Sequence, residues 1–153
     1  MRLILIILFV LSSPRIYGND MAVDPLPDES CYKNDIKYGI AWAKKTGKCL
    51  IAYSQEGKSP IISLNGDIVT LTQTYQNTIE GKRSKRYPSL GLRQISQFVS
   101  HDNRTTATVN VSVISSSCAV DNESCCGDDY EGYLEIRRNN KKLRIPVTSY
   151  EGG

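Results

Sequence analysis

The sequence predicts an all-β fold: a small antiparallel β-barrel of about eight short strands with hairpin connections, the alternative being a two-layer β-sandwich. Three observations carry this. Tyr133 to Val147 alternates apolar and polar residues on both sides of Asn139-Asn140, Asn65-Gly66 separates two further β-like runs, and no window from Lys37 onward sustains a helical period. The barrel is preferred because the connections are local and run up and down the sheet.

The hairpin at Tyr133 to Val147 is the clearest element. Asn139 and Asn140 tolerate the positive φ values of a type I′ turn, and a two-residue turn there fixes the register. Ile136 then faces Leu143 and Leu134 faces Ile145 on one side, while Glu135 faces Arg144 on the other. Asn65-Gly66 similarly joins Ser59 to Leu64 with Asp67 to Gln73 and sets Ile62 opposite Val69. Lys37 to Ala43 is expected as a strand with Tyr38, Ile40 and Trp42 on one face, followed by Lys48 to Ser54. Gln94 to Ser100 and Thr105 to Ser115 follow later, joined by a turn at His101-Asp102-Asn103-Arg104. Asn77 to Gly91 is polar and punctuated by Gly81, Pro88 and Gly91, and is expected to be a long loop.

The amino terminus reads as an address. Arg2 precedes the apolar run Leu3 to Leu11, which is too short to span a bilayer as a helix and gives way to small polar residues. Residues 1–18 are therefore expected to be a secretory signal cut near Gly18. Residues 19–30, with Pro25, Pro27 and scattered acids, are expected to be a flexible leader, and residues 31–153 a single disulfide-stapled β domain. A lipid anchor on Cys31 is not expected, because such anchors follow the apolar run directly. The exported chain is expected to be secreted or periplasmic, with no membrane insertion after cleavage.

Removing the signal takes Arg2 and Arg15 and no acid, so 17 basic residues face 16 acidic ones and the formal charge falls from +3 to +1. A near-neutral chain has no global attraction for nucleic acid, so no nucleic-acid partner is expected and any electrostatic recognition must be local.

Five cysteines in an exported chain imply disulfides, and the odd number leaves one over. Cys31 with Cys49 and Cys118 with Cys126 are the expected pairs, because adjacent Cys125 and Cys126 can join only through a strained ring. Cys125 is then free or available for an intermolecular bond. A metal site is not expected, since the cysteines lack zinc spacing and there is one histidine. The acidic run Asp121 to Asp129 places Cys125 and Cys126 where a calcium loop needs a ligand and a glycine. No cofactor is implied.

His101-Asp102 is the one obvious base with a carboxylate neighbour, yet it falls where a turn is needed and no glycine-rich nucleophile elbow accompanies it. No catalytic residue is assigned and no enzyme is expected. The concentrated charge is Lys82, Arg83, Lys85 and Arg86, a candidate binding loop for an acidic groove, although most such runs are solvated surface. Arg137, Arg138, Lys141 and Lys142 form a second basic patch.

An exported chain of this size forming an antiparallel barrel with a loop cystine resembles the periplasmic lysozyme inhibitors of bacteria in architecture. The Ser-Gly-x-Arg-Tyr stretch of that family does not occur here, so the resemblance transfers no functional residue. It implies a non-enzymatic inhibitor or immunity-type module whose partner is another protein, a cell-wall glycan hydrolase. The alternative function is a structural or surface-assembly protein that uses its unpaired cysteine for intermolecular bonding.

Overall fold

Alternating strands that share one apolar face must bury that face, and here they do so by closing on themselves. The computed structural model describes residues 16–18, 21–33, 36–37, 39–53, 59–81, 84–120 and 127–151. At the amino-terminal side, β1 (Ile16–Gly18) and β2 (Met21–Asp24) form a hairpin. One helical turn, α1 (Asp28–Cys31), and the short pair β3 (Tyr32–Lys33) and β4 (Ile36–Lys37) follow. The wall then comprises β5 (Gly39–Ala43), β6 (Cys49–Tyr53), β7 (Pro60–Leu64), β8 (Asp67–Ile79), β9 (Arg93–Ser100), β10 (Thr105–Ser116), β11 (Asp128–Arg138) and β12 (Lys141–Glu151).

Each strand from β5 to β12 pairs antiparallel with the next, and β12 returns to β5 through Val147–Ala43 and Thr148–Trp42. Eight strands thus form a closed up-and-down barrel, as the sequence predicts, and not a sandwich. Closure removes most of the edge that an open sheet would expose, leaving the far part of β8 with β9 as its one neighbour among the described strands. The β11–β12 register is also as expected, with Leu134 opposite Ile145, Glu135 opposite Arg144 and Ile136 opposite Leu143. Asn139 and Asn140 carry φ values of 50° and 62°, the conformation that selects asparagine in a type I′ turn. Ile62 stands opposite Val69 across the Asn65-Gly66 turn.

The interior is a single apolar cluster that includes Leu50, Ile51, Ile62, Leu64, Leu71, Phe98, Leu134, Ile136, Ile145 and Val147. Each fully buried aliphatic side chain of this kind contributes roughly 1.5–3 kcal/mol. A second, smaller cluster lies outside the wall, where Leu26, Cys31, Trp42, Cys49 and Ala52 pack together with Ile61. The Cys31–Cys49 disulfide ties this satellite to β6, and Leu26 N–H donates to the Cys49 carbonyl at 2.8 Å.

Three expectations change. The stretch expected as a flexible leader contains β2, whose four residues are all buried, and then α1. β7 is shared on one side: β6 pairs with Pro60, Ile61 and Ile62, and β2 continues that line along Ser63 and Leu64. Pro25 and Pro27 end a strand there; they do not mark disorder, and Met21-Ala22-Val23 is too short a run to display a period. Trp42 does not share the barrel interior with Ile40, because register shifts flank Ala41, and the interior takes Ala41 and Ala43 while Trp42 joins the satellite cluster. β8 runs on through Asn77 to Ile79, shortening the expected loop to residues 80–92, of which Leu90 and Leu92 pack on the core. The Glu135 ion pairs go to Arg137 and Lys142, while Arg144 lies over the Tyr133 ring at 3.4 Å.

Candidate functional site: the basic turn end

Up-and-down topology sorts the connections between two ends. By strand direction the turns at residues 44–48, 65–66, 101–104 and 139–140 belong to one end, and β6, β8 and β10 finish at the other. The sequence separates Arg104 from Arg137 by a whole hairpin, but the barrel sets their turns side by side, since Thr105 pairs with Arg138 and Thr106 with Arg137. An open recess of about 560 Å³ results, lined by Arg104, Thr106, Arg137, Arg138, Lys141 and Lys142.

The β9–β10 turn that holds Arg104 is fixed by its own hydrogen bonds. Ser100 Oγ donates to Asp102 Oδ1 at 2.6 Å and accepts from Thr105 N–H at 3.0 Å, while Arg104 N–H donates to Asp102 Oδ1 at 3.0 Å. Asn103 takes φ 56°. The Ser100 hydroxyl first, and then the Arg104 amide, hold the Asp102 carboxyl below its usual range. Asp102 is thus occupied as a turn residue, and His101 is exposed beside it.

On the β11–β12 hairpin, Glu135 accepts from Lys142 Nζ at 2.8 Å and from Arg137 Nε at 2.9 Å. The Lys142 ammonium is the main cause that lowers the Glu135 pKa, with Arg137 reinforcing it. These pairs set two cations in place but leave the end positive. Around the recess and the adjoining 65–66 turn, Arg104, Arg137, Arg138, Lys141 and Lys142 stand against Asp24, Asp67, Asp102 and Glu135 among the described residues. Arg104, Arg137 and Lys142 are 73%, 64% and 53% exposed, so their charge reaches solvent.

The candidate binding loop lies at the other end. Lys82 and Arg83 fall outside the described residues; Lys85 and Arg86 are exposed, and the Arg86 guanidinium sits 5.6 Å from the Tyr87 ring centroid. The Arg86 carbonyl accepts from Val120 N–H at 3.0 Å, joining this loop to the cysteine loop. Of the expected disulfides, Cys31–Cys49 is present with a sequence separation of 18, and Cys118 is disulfide-bonded. Cys125 and Cys126 lie outside the described residues. Among the described residues no group of three or more His, Cys, Asp or Glu could hold a metal ion, and no helix is long and apolar enough to cross a membrane.

The sequence places Arg137, Arg138, Lys141 and Lys142 together at the hairpin tip, and an up-and-down barrel, which must bring alternate turns to one end, adds Arg104 to them.

Fold and site together define a class: a closed eight-stranded antiparallel barrel, stapled by a disulfide, that carries a cationic recess at its turn end. Compared with known proteins, the chain matches no family, no curated protein and no solved structure.

Proposed function

We propose that this protein is an exported, non-catalytic binding module that docks its basic turn end into the acid-lined cleft of a cell-wall glycan hydrolase and blocks it. The observation that carries the reading is the convergence of Arg104, Arg137, Arg138, Lys141 and Lys142 on one end of a closed barrel, a local concentration of positive charge in an otherwise near-neutral exported chain. A rigid barrel holds those charges at fixed spacing, which limits the ordering cost on binding. Glycan hydrolases work with paired carboxylates flanking the scissile bond, so their clefts are complementary in sign to this basic end. The Cys31–Cys49 disulfide is compatible with an oxidising, exported setting.

The test is inhibition of cell-wall lysis by lysozymes in the presence of the purified protein, alongside an Arg138→Glu/Lys141→Glu variant. Inhibition by the parent chain and its loss in the variant support the reading. No inhibition by either chain discards the hydrolase as partner. Equal inhibition by both moves the contact to the opposite end, where Lys85 and Arg86 lie.

A further inference from the structure

Strand β8 outruns its neighbour. β7 pairs with it only from Asp67 to Thr70, whereas β9 runs beside it from Leu71 to Ile79. Among the described residues no strand pairs with the other side of Thr72 to Ile79. Among the described residues, that side is a row of N–H and C=O groups roughly 26 Å long with no strand beside it. Sheets normally protect such an edge with lysine, proline, strong bulges or covering segments. Val69 to Ile79 contains no charged residue, no proline and no glycine, and its one irregularity is the register shift between Gln73 and Tyr75. Tyr75 and Ile79 are 45% and 41% exposed on this edge.

Face parity selects what can pair there. Tyr75, Asn77 and Ile79 stand opposite Gln97, Ile95 and Arg93 on the outer face, while Gln76 stands opposite buried Ser96 and Thr78 opposite Gln94 on the inner. An added antiparallel strand must match outer with outer and inner with inner. The strand satisfies this requirement with its own sequence. A two-fold axis at Asn77 sets Tyr75 against Ile79 of the second copy, and Ile79 against its Tyr75. It sets Gln76 against Thr78, and Asn77 against itself as an amide pair that can both donate and accept. The same register places Glu80 opposite Thr74, so no carboxylate meets another.

We propose that two copies of this chain pair edge to edge through β8, antiparallel about a two-fold axis at Asn77, to make one continuous sheet across both barrels. The occupant is a second copy because the register that covers both exposed apolar side chains follows from the strand's own sequence, and an uncharged edge carries no self-repulsion. Such an interface is isologous and closes at two subunits. It lies apart from the basic turn end, so its failure and that of the inhibitor reading are independent.

The test is sedimentation of the purified protein under reducing conditions over a range of concentrations. A reductant-insensitive equilibrium between monomer and dimer is expected. Asn77→Lys sets two ammonium groups against each other on the axis and raises the dimer dissociation constant roughly tenfold or more. Asn77→Cys is expected to form an oxidised covalent dimer well beyond the level that the parent chain's own thiol gives. A protein that stays monomeric throughout, a dimer untouched by Asn77→Lys, or open-ended assemblies in place of a dimer would each overturn the proposal.

Discussion

Replacing Gly132 by alanine should open the seam between β10 and β11. A methyl group there would stand 2.0 Å from the Asn110 carbonyl oxygen, 2.7 Å from the Val111 Cα and 2.9 Å from the Asn110 carbonyl carbon. Ordinary contact begins at 3.4 Å, so the two strands must part by about 1.4 Å at this point. None of the three atoms belongs to a side chain that can turn away. The stretch is also tied by a hydrogen-bonded chain in which Arg93 Nε donates to Asn110 Oδ1 at 2.7 Å and Asn110 Nδ2 donates to Tyr133 Oη at 2.9 Å. Overpacking that moves backbone costs about 1–3 kcal/mol, and the upper end applies here. For a domain of this size each kcal/mol lowers Tm by about 2–4 °C, so a fall of about 6–12 °C is expected on thermal denaturation followed by circular dichroism. Gly66→Ala is the control: its Cβ meets nothing within 4 Å, but its φ of 88° strains any other residue. That strain costs about 1–2 kcal/mol. If Gly132→Ala melts at or above Gly66→Ala, the close approach of β10 and β11 is not what demands glycine at this position.

Two further predictions concern the staple and the carboxyl end of the wall. Replacing both Cys31 and Cys49 by alanine frees a loop of sequence separation 18 and removes about 3 kcal/mol in the chain-entropy account, measurable by chemical denaturation; a loss below about 1 kcal/mol would contradict it. Tyr130 is buried and donates to Glu151 Oε2 at 2.8 Å, and burial first, then that carboxylate, raises its pKa well above the ordinary value. A raised folded-state pKa stabilises below the unfolded value and loses that contribution as pH climbs past it. Stability should therefore fall above about pH 10, and tyrosinate absorbance should show one phenol ionising late, a feature that Tyr130→Phe removes. Ionisation of Tyr130 at the pH of the free side chain would refute its burial and pairing.

What the sequence disclosed was local. The Tyr133 to Val147 register could be read because turn chemistry at Asn139-Asn140, interior pairing of Leu134 and Ile136, and the charge of Glu135 all demanded the same alignment. The partner of Glu135 could not be read, because Arg137 on its own strand and Lys142 diagonally across both reach it, while Arg144 has an aromatic ring beside it. The far half of β8 was hidden by composition: Thr, Gln and Asn show no alternation, and an edge with one neighbour imposes none. β2 was hidden by its length and its prolines, and its place beside β7 depends on the β6–β7 pairing stopping at Ile51 and Ile62 while Cys49 and Leu50 leave β7, a tertiary fact. The basic recess was half visible. Four of its cations sit in one hairpin, but Arg104 arrives from another turn, and only closure of the barrel makes them neighbours.

The most direct measurement of the central claim is the salt and charge dependence of lysozyme binding. The association constant of the purified protein for a lysozyme that it inhibits would be followed by calorimetry across ionic strength, with the parent chain and with Arg138→Glu/Lys141→Glu. An interface led by the turn end predicts affinity that falls steeply with salt in the parent chain and a variant that binds at least tenfold more weakly. Equal affinity of parent and variant, or binding indifferent to salt, would contradict the account.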